Sequence, residues 1–503
     1  MIDWLRSHPA LSAHRLAPIV VLLVFLGAAA AGGVVVASGN LVLIGLAVGA
    51  IIGTLLLNAA GMVIWTVLIG TLLVAGPLAM HVPALGRIQW IFSVMGFLLI
   101  GAAILHAGAD RDVRRGQMPA FVILVLLFMT YAIAMLTVSD GSIAQAASAI
   151  KRYFQYYGLT FALATIAFVP RKVFGWLKFL FALALIQLPF TLYQFFVLVP
   201  QRQNMPRGVV PVDIVVGTFE GQIDGGGNSN AMVFFVVLVG AGILALYRES
   251  LIKGWKLPVA LGLCLAPLGV GETKTAVVLL PLALLVIFID NVRRRPAAFA
   301  AGAVVASFLT AGLGYLYLVG PAVNDGRVMS LERAIEANLE YNVGTQGYLG
   351  NASLNRSNVI PFWWSQHVPR DYAGLVGGHG LGSTAQRTGA MGESGGEMDR
   401  KYPGMYIGLT TASTLLWDLG VVGFSLYMLM IAAAIVAAIG LVRNAAPGFD
   451  RAFCRTLLAG AVLLVPMVFH SDMMIIAPSM QVLTAFLLGL IAWRARVPTR
   501  PAA

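Results

Sequence analysis

The feature that most constrains this chain is a succession of long apolar runs separated by short polar segments. Each run approaches the ~20 residues that an α-helix needs to cross a membrane. Because a bilayer core offers the backbone no hydrogen-bond partners, such runs predict spanning helices. The predicted fold class is therefore an all-α polytopic membrane protein with about 12–14 transmembrane helices. About fourteen runs are visible, at 18–37, 41–58, 61–80, 88–107, 119–138, 152–169, 174–199, 231–248, 256–271, 275–291, 298–319, 409–442, 455–471 and 474–493.

The composition excludes an ordinary soluble protein. Of the 503 residues, 59% are hydrophobic and only 11% are charged, with a mean hydropathy of +0.87, whereas soluble proteins carry about 25% charged residues. The net charge of +12 does not indicate nucleic-acid binding, because the basic residues are not clustered in one soluble segment. Cys264 and Cys454 lie far apart in apolar or membrane-edge segments, so no disulfide framework is predicted.

The distribution of basic residues predicts the orientation of the helices. With the N-terminus in the cytoplasm and sides alternating from run to run, twenty of the 33 basic residues fall in inside segments. Of the other thirteen, seven lie in segment 320–408 and six in the shorter outside segments. This bias follows the positive-inside rule, so both termini are predicted to be cytoplasmic. The first apolar run is followed by further runs, and we interpret it as an anchor and not as a cleaved signal peptide.

The same alternation divides the chain into three regions. Residues 1–319 are predicted to form a helix bundle with a shorter extracytoplasmic loop at 200–230. Residues 320–408 form a large extracytoplasmic loop with fifteen charged residues, and 409–503 supply the last transmembrane helices. A membrane protein with one large polar segment usually binds or reacts there, so we expect the functional site beneath this loop.

Two outside segments offer candidate ligands for a phosphate group. Arg327 follows an Asp-Gly turn at the start of the large loop, and Arg207 lies in the shorter loop. A guanidinium group presents a planar fork of donors that suits phosphate. The alternative for such an arginine is a contact with lipid headgroups. Asp213 and Glu220 follow Arg207 and are candidate substrate-binding residues, unless this segment is merely a flexible loop.

Glu272 and Lys274 are ionisable residues between two short apolar runs. Charged side chains at membrane depth are costly, so they tend to be functional or paired. A spacing of two residues does not bring side chains face to face on a helix, which weakens the interpretation as a pair with each other. We therefore expect Lys274 to bind phosphate and Glu272 to orient a substrate or act as a base.

His379 lies in a glycine-rich segment of the large loop and is a candidate general base. A structural hydrogen-bonding histidine is the alternative. Asp418 lies near the outer end of an apolar run and is a candidate substrate contact or a wetted helix end, as is Asp472. No metal site is predicted, because no metal-ligand spacing is present: His367 and His379 lack an HExxH-type partner, and the loop has no cysteine. The chain also lacks a Walker-type loop, so ATP is not expected as its energy source.

Five stretches together resemble the bacterial O-antigen ligase and polymerase (Wzy-like) family of membrane glycosyltransferases. They are GTFEGQIDGGGNSNAM, ETKTAVVLLPLAL, DGRVMSLERAI, GHGLGST and LLWDLGVVGFSLYMLM, and they cover roughly 207–430. The resemblance implies a GT-C-like helical architecture in the bacterial inner membrane, with the large loop periplasmic and roofing the site. It implies inverting transfer of a glycan from undecaprenyl pyrophosphate to a sugar hydroxyl, with neither metal nor other cofactor. It also implies that Arg207 and Arg327 hold the pyrophosphate.

One departure bears on the type of reaction. Ligase-like members tend to carry a histidine just before the span that ends in an acidic residue and glycine, and the stretch GLTTASTLLWDLG has none. The base is then His379 or Glu272, or deprotonation is not assigned to one residue. This favours a polymerase of O-antigen, capsule or exopolysaccharide over a ligase. Trp363, Trp364 and Tyr372 are expected to stack on sugars.

Two other function classes stay open from the sequence. A polysaccharide-lipid flippase would also have about fourteen spans, but the long loop argues against helices that rock as two halves. The second is a structural assembly subunit without catalysis. A chain-length regulator and a flippase are candidate partners of a polymerase, and nucleic acid is not an expected partner.

Overall fold

The structure of the protein is a computed structural model. It describes residues 60–109, 118–138, 142–203, 210–271, 275–294, 354–386 and 395–497, together with a few single residues between these ranges. The chain divides into two compact units, Met1–Ala60 and Gly61–Ala503, and the helix bundle with its contacts belongs to the second. The predicted spans at 18–37, 41–58 and 298–319 lie outside the described residues.

The described residues form helices and no β-strand, which confirms an all-α polytopic membrane protein. Eight of the helices are long and apolar enough to cross a membrane: α1 (Ala60–His81), α2 (Ala84–Gly108), α3 (Ala120–Thr137), α6 (Pro170–Arg202), α7 (Ser229–Arg248), α13 (Thr411–Asn444), α14 (Phe449–His470) and α16 (Pro478–Arg496). The shorter helices are α4 (Ile143–Phe154), α5 (Tyr157–Thr165), α8 (Lys256–Gly269), α9 (Ala276–Arg294), α10 (Val359–His367), α11 (Tyr372–Gly377), α12 (Glu397–Lys401) and α15 (Met473–Ile476).

The run at 152–169, predicted as one span, is divided between α4 and α5. All nine residues of α5 are buried, since the helix packs between α2 and α16. A Cβ atom on Gly158 of α5 would clash with the backbone of Gly96 in α2, and one on Gly96 would clash with the backbone of Gln155 just before α5. Glycine at both positions therefore permits the close crossing of α2 and α5. A helix that is surrounded by protein in this way does not need the length that lipid contact demands.

Helix α16 lies at the centre of the described bundle. Its apolar window is 94% buried although it has the lowest mean hydropathy of the eight long helices. Side-chain hydrogen bonds join it to its neighbours: Thr160 Oγ1 donates to the carbonyl of Ala485 at 2.8 Å, and Trp493 Nε1 donates to the carbonyl of Phe168 at 3.0 Å. A helix inside the bundle can carry polar groups because other protein groups satisfy them.

The segment after α6 folds back onto that helix. Gln194 Oε1 accepts hydrogen bonds from the backbone N–H groups of Val216 and Gly217 at 3.0 and 2.7 Å. Its Nε2 atom donates to the carbonyl of Gly217 at 2.7 Å. Two turns earlier, Gln187 accepts the backbone N–H of Thr218 at 2.8 Å and donates to the Thr218 hydroxyl at 2.7 Å. These two glutamines satisfy the irregular backbone that would otherwise be buried without partners. The segment is therefore anchored, and it brings the following Glu220 to a fixed place.

The end of the bundle that is predicted to be cytoplasmic is joined by ion pairs. Arg455 of α14 contacts Glu249 and Asp290, and Arg248 contacts Asp290 at 2.7 Å. Arg494 of α16 and Asp450 of α14 form a further pair with nitrogen–oxygen distances of 2.6 and 2.7 Å. These charged groups satisfy one another near the ends of α7, α9 and α16 and the start of α14. The large loop is predicted to lie on the opposite side of the membrane.

Candidate functional site

A polar cavity of about 520 Å³ lies where α4, the glycine-rich segment of the large loop and the α14–α15 connection meet. Its walls come from 145–155, 381–386, 396–400 and 472–478, with single contributions from Gln89, Leu136, Gln222 and Gly408. All of these residues belong to, or border, segments that the alternation of spans predicts to be extracytoplasmic. The cavity thus lies between residues of segment 320–408 and residues of the helix bundle.

The cavity is lined by charged groups of both signs. Three cations, Lys151, Arg152 and Arg400, face two carboxylates, Asp472 and Glu397. The Nε atom of Arg152 is buried and has no hydrogen-bond partner among the described residues. A buried donor without a partner costs free energy, so Arg152 is placed to bind a ligand oxygen. An anionic ligand of moderate size, with hydroxyl groups for the surrounding amides, fits this lining.

Helix α4 supplies most of one wall. Ser142 begins the helix as its N-cap, and Ser142 and Gln145 form a reciprocal capping box with each other's backbone. The helix is amphipathic, so Gln145, Ser148 and Arg152 recur on the cavity side. The last turn carries both Lys151 and Arg152, where positive charge is favourable at the C-terminal end of a helix.

The glycine-rich segment forms a second wall because it docks on the backbone of α13. Gly378, Gly380 and Gly382 all have positive φ values, between 80° and 95°. The N–H groups of residues 379 and 380 donate to the carbonyls of Trp417 and Asp418 at 2.9 and 3.0 Å. A Cβ atom on Gly378 would clash with the backbone of α13. The glycines that the sequence suggested for close approach to a ligand thus permit close approach to a helix.

Helix α13 is interrupted at Gly420, where the docking takes place. Gly420 has a φ of 64° and lies inside a segment that is otherwise helical. A Cβ atom there would clash with the backbone of Val376 and Gly378. The interruption frees carbonyl groups that accept the hydrogen bonds of the glycine-rich segment.

Asp418 lies outside the cavity and accepts hydrogen bonds from the residues of its glycine-rich wall. Its carboxylate is fully buried and accepts four hydrogen bonds: from Tyr153 at 2.7 Å, from the backbone N–H groups of Gly382 and Thr384 at 3.0 and 2.9 Å, and from the Ser383 hydroxyl at 2.8 Å. All of these partners except Tyr153 line the cavity, whereas Asp418 does not. We infer that Asp418 positions the wall, and its predicted contact with substrate stays a prediction.

Glu220 has a similar place behind the opposite wall. It accepts hydrogen bonds from the Ser479 hydroxyl and backbone at 2.6 and 3.0 Å, from Asn228 at 3.0 Å and from Gln89 at 3.3 Å. Burial raises the pKa of this carboxyl, and the hydrogen bonds from Ser479 and Asn228 offset part of the rise. Gln89 lines the cavity. Glu220 therefore contacts the cavity wall through Gln89, and its role in binding substrate stays a prediction.

Asp472 lines the cavity itself, at the junction of α14 and α15. Burial raises its pKa from 3.8 to about 6, although Arg152 and Arg356 act in the opposite direction. A carboxylate with a pKa near 6 suits proton abstraction close to neutral pH.

His379 lies next to the glycine-rich wall but does not line the cavity. Its ring contacts His367 and Trp417, with ring centroids 5.2 and 5.8 Å away. Burial lowers the pKa of His379, and the neighbouring His367 lowers it further, while Asp371 opposes the shift. The His379 ring packs against the rings of His367 and Trp417 and not against the cavity. Its role as a general base stays a prediction.

The aromatic residues of the large loop divide into two groups. Trp363 is buried, and its indole N–H donates to the carbonyl of Leu416 at 3.1 Å. It belongs to the cluster around Trp417 and packs as core. Trp364 and Tyr372 are exposed by more than half of their surface and stay candidates for stacking on sugars.

The structure brings some of the predicted site residues near the cavity and leaves others elsewhere. Asp418 and Glu220 lie directly behind its walls, whereas Asp213 lies in a short turn at Pro211–Ile214 and does not line it. Arg207, Glu272, Lys274 and Arg327 lie outside the described residues. The sequence-based selection missed Lys151, Arg152 and Arg400, and it left Asp472 as an undecided helix end. A scan against protein-family models finds no match for the chain, and a search of curated proteins finds none either.

Proposed function

We propose that this chain is a membrane glycosyltransferase that joins oligosaccharide repeat units carried on undecaprenyl pyrophosphate, and that the reaction takes place in the polar cavity. The observation that carries the proposal is the set of cavity cations facing Asp472. A glycan on a lipid pyrophosphate needs positive charge for its diphosphate, hydrogen-bonding groups for its sugars and access from the bilayer for its tail. The cavity offers the first two, and it opens within a bundle of spanning helices.

The proposed step is a displacement at the anomeric carbon of the donor. The acceptor hydroxyl oxygen forms the new glycosidic bond, while the bond from the anomeric carbon to the pyrophosphate oxygen breaks and its electron pair remains on the pyrophosphate. The acceptor proton passes to the Asp472 carboxylate. Lys151 and Arg152 bind the pyrophosphate, whose negative charge increases as the bond breaks. Attack from the face opposite the leaving group inverts the anomeric centre.

A reconstituted assay tests this function. The purified protein is supplied with an undecaprenyl-pyrophosphate-linked repeat unit, with no nucleotide and no other protein, and products are separated on a gel. A ladder of longer glycans is the expected result. If no ladder forms but the lipid-linked sugar crosses the bilayer of liposomes that contain the protein, the chain is a flippase and the proposal is wrong. Transfer of a single glycan to a different acceptor would indicate a ligase.

The exchange Asp472→Asn is expected to lower activity and to stabilise the fold at neutral pH. Because the pKa of Asp472 in the folded protein, about 6, exceeds its ordinary value of 3.8, the stability that this group contributes is complete below about pH 4 and is lost as the pH rises through 6. Asparagine avoids burying the charge. We expect the variant to melt about 2–6 °C above wild type at pH 7.5, with no difference near pH 4. If the variant and wild type melt at the same temperature at pH 7.5 as well as near pH 4, or if the variant keeps full activity, Asp472 is not the base.

A further inference from the structure

Three side chains of the large loop converge beside the glycine-rich wall. His367 ends α10, Asp371 caps α11 and His379 follows α11. Their nearest ligand atoms all lie within 4.8 Å of one another. The two histidine Nε2 atoms are 2.9 Å apart, and His379 Nε2 is 3.7 Å from Asp371 Oδ2. Two imidazole nitrogens and one carboxylate oxygen thus face a common point.

Two of these three groups are oriented by a further hydrogen bond. His367 Nδ1 lies 2.6 Å from the carbonyl oxygen of Trp363; since a carbonyl only accepts, Nδ1 carries the proton and the Nε2 lone pair of the neutral ring points at His379. Asp371 Oδ1 accepts the N–H of Gly374 at 2.8 Å, which leaves Oδ2 directed toward the histidines. Histidine and carboxylate ligands of metal ions are typically fixed by such outer partners.

Of the contacts between these three side chains, the one between the two histidines has the length of a hydrogen bond, and the one between His379 and Asp371 does not. His379 Nε2–H can donate to His367 Nε2, but the carboxylate oxygen at 3.7 Å from His379 is beyond hydrogen-bond range. A cation could be bound at the same time by one nitrogen of His367, one nitrogen of His379 and one carboxylate oxygen of Asp371. Zinc–nitrogen bonds of about 2.0–2.1 Å place two tetrahedral nitrogen ligands roughly 3.3 Å apart, close to the separation of the two Nε2 atoms. Trp417 packs against both rings and shields this side from water.

We propose that His367, Asp371 and His379 bind a divalent transition-metal ion of the zinc type. Mixed nitrogen and oxygen ligands favour zinc over magnesium or calcium, which prefer oxygen alone. With three protein ligands, the fourth position would be left to water on the half-exposed side of Asp371. The ion would connect α10 and the start of α11 to the segment that carries the cavity wall. It would lie outside the cavity and take no part in glycosyl transfer, so this site stands independently of the proposed function.

Metal content of the full-length protein tests this site directly. The protein is purified in detergent, freed of any affinity tag, treated with chelator and dialysed against zinc, and bound zinc is then measured. Wild type should retain about one zinc ion per chain, whereas His379→Gln and Asp371→Asn should each bind at least tenfold more weakly. Asparagine at 371 retains an oxygen that can cap Gly374, so its loss of metal would not reflect loss of the cap. His81→Gln is the matched control, since His81 is exposed on α1.

Cobalt substitution gives a second readout besides metal content. Cobalt bound by this ligand set should give visible absorption bands in wild type and His81→Gln but not in the two site variants. The proposal is overturned if wild type takes up neither zinc nor cobalt, or if His379→Gln and Asp371→Asn retain as much metal as wild type. Neither result depends on whether the protein elongates a glycan.

Discussion

Replacing Arg152 with alanine is expected to reduce the rate of glycan elongation by about 10²–10³-fold, the usual effect of removing one group that stabilises transition-state charge. Arg152 lines the cavity and its buried Nε atom has no hydrogen-bond partner among the described residues. Its backbone carbonyl accepts from Gln481, and the exchange leaves that contact in place. The elongation rate is measured from the gel ladder at saturating lipid-linked repeat unit.

The controls separate a local effect from a general effect of charge. Arg171→Ala removes an exposed positive charge at the start of α6, on the side predicted to be cytoplasmic, and should leave the ladder unchanged. Arg152→Lys should retain part of the activity, because an ammonium group keeps the charge but lacks the planar fork. A ladder from Arg152→Ala that equals that of wild type would remove this residue from the site.

The exchange Asp418→Ala is expected to cause the largest loss of stability. It removes the common acceptor of four hydrogen-bond donors, of which Tyr153 is buried and the other three belong to the cavity wall. Because hydrogen bonds to a charged group contribute about 1.5–3 kcal/mol each, the cost should be about 3 kcal/mol or more. The apparent melting temperature in detergent should fall by roughly 5–10 °C, and activity should fall with it because the glycine-rich wall loses its anchor.

Two milder exchanges test whether the hydrogen bonds are the cause. Asp418→Asn keeps one acceptor oxygen and should be intermediate. Tyr153→Phe removes a single donor and should cost about 1 kcal/mol. If Asp418→Ala melts like Tyr153→Phe, the four hydrogen bonds do not stabilise the wall in the way described. If it melts like wild type, Asp418 has no positioning role.

Apolar runs predicted most of the long helices because length and hydropathy are sufficient for a helix that faces lipid. They failed at 152–169, where α5 is enclosed by protein and its length is set by its neighbours. They also could not locate the break in α13. That break depends on Gly420 meeting the backbone of another segment, a contact between residues far apart in sequence.

The candidate site was predictable only in part. The sequence drew attention to the loop and to Asp418 and Glu220, but not to the direction in which these side chains point. Both carboxylates are saturated by protein donors behind the cavity. A usable signal for the cavity cations was present: Lys151 and Arg152 are adjacent and belong to the six basic residues of the short segments predicted to lie outside. Where basic residues are rare, such a pair indicates a candidate anion-binding position.

The most direct test of whether substrate binds in the cavity is whether substrate protects a cavity cysteine from labelling. Ser148 lines the cavity, and the two native cysteines are buried, so Ser148→Cys provides a single reactive thiol. In intact cells a membrane-impermeant maleimide should label this thiol from the periplasm. In purified protein, the undecaprenyl-pyrophosphate-linked repeat unit should slow the labelling strongly, while labelling of Ser365→Cys on the exposed face of α10 should not change. Equal labelling of Ser148→Cys with and without the lipid-linked repeat unit would show that the substrate binds elsewhere.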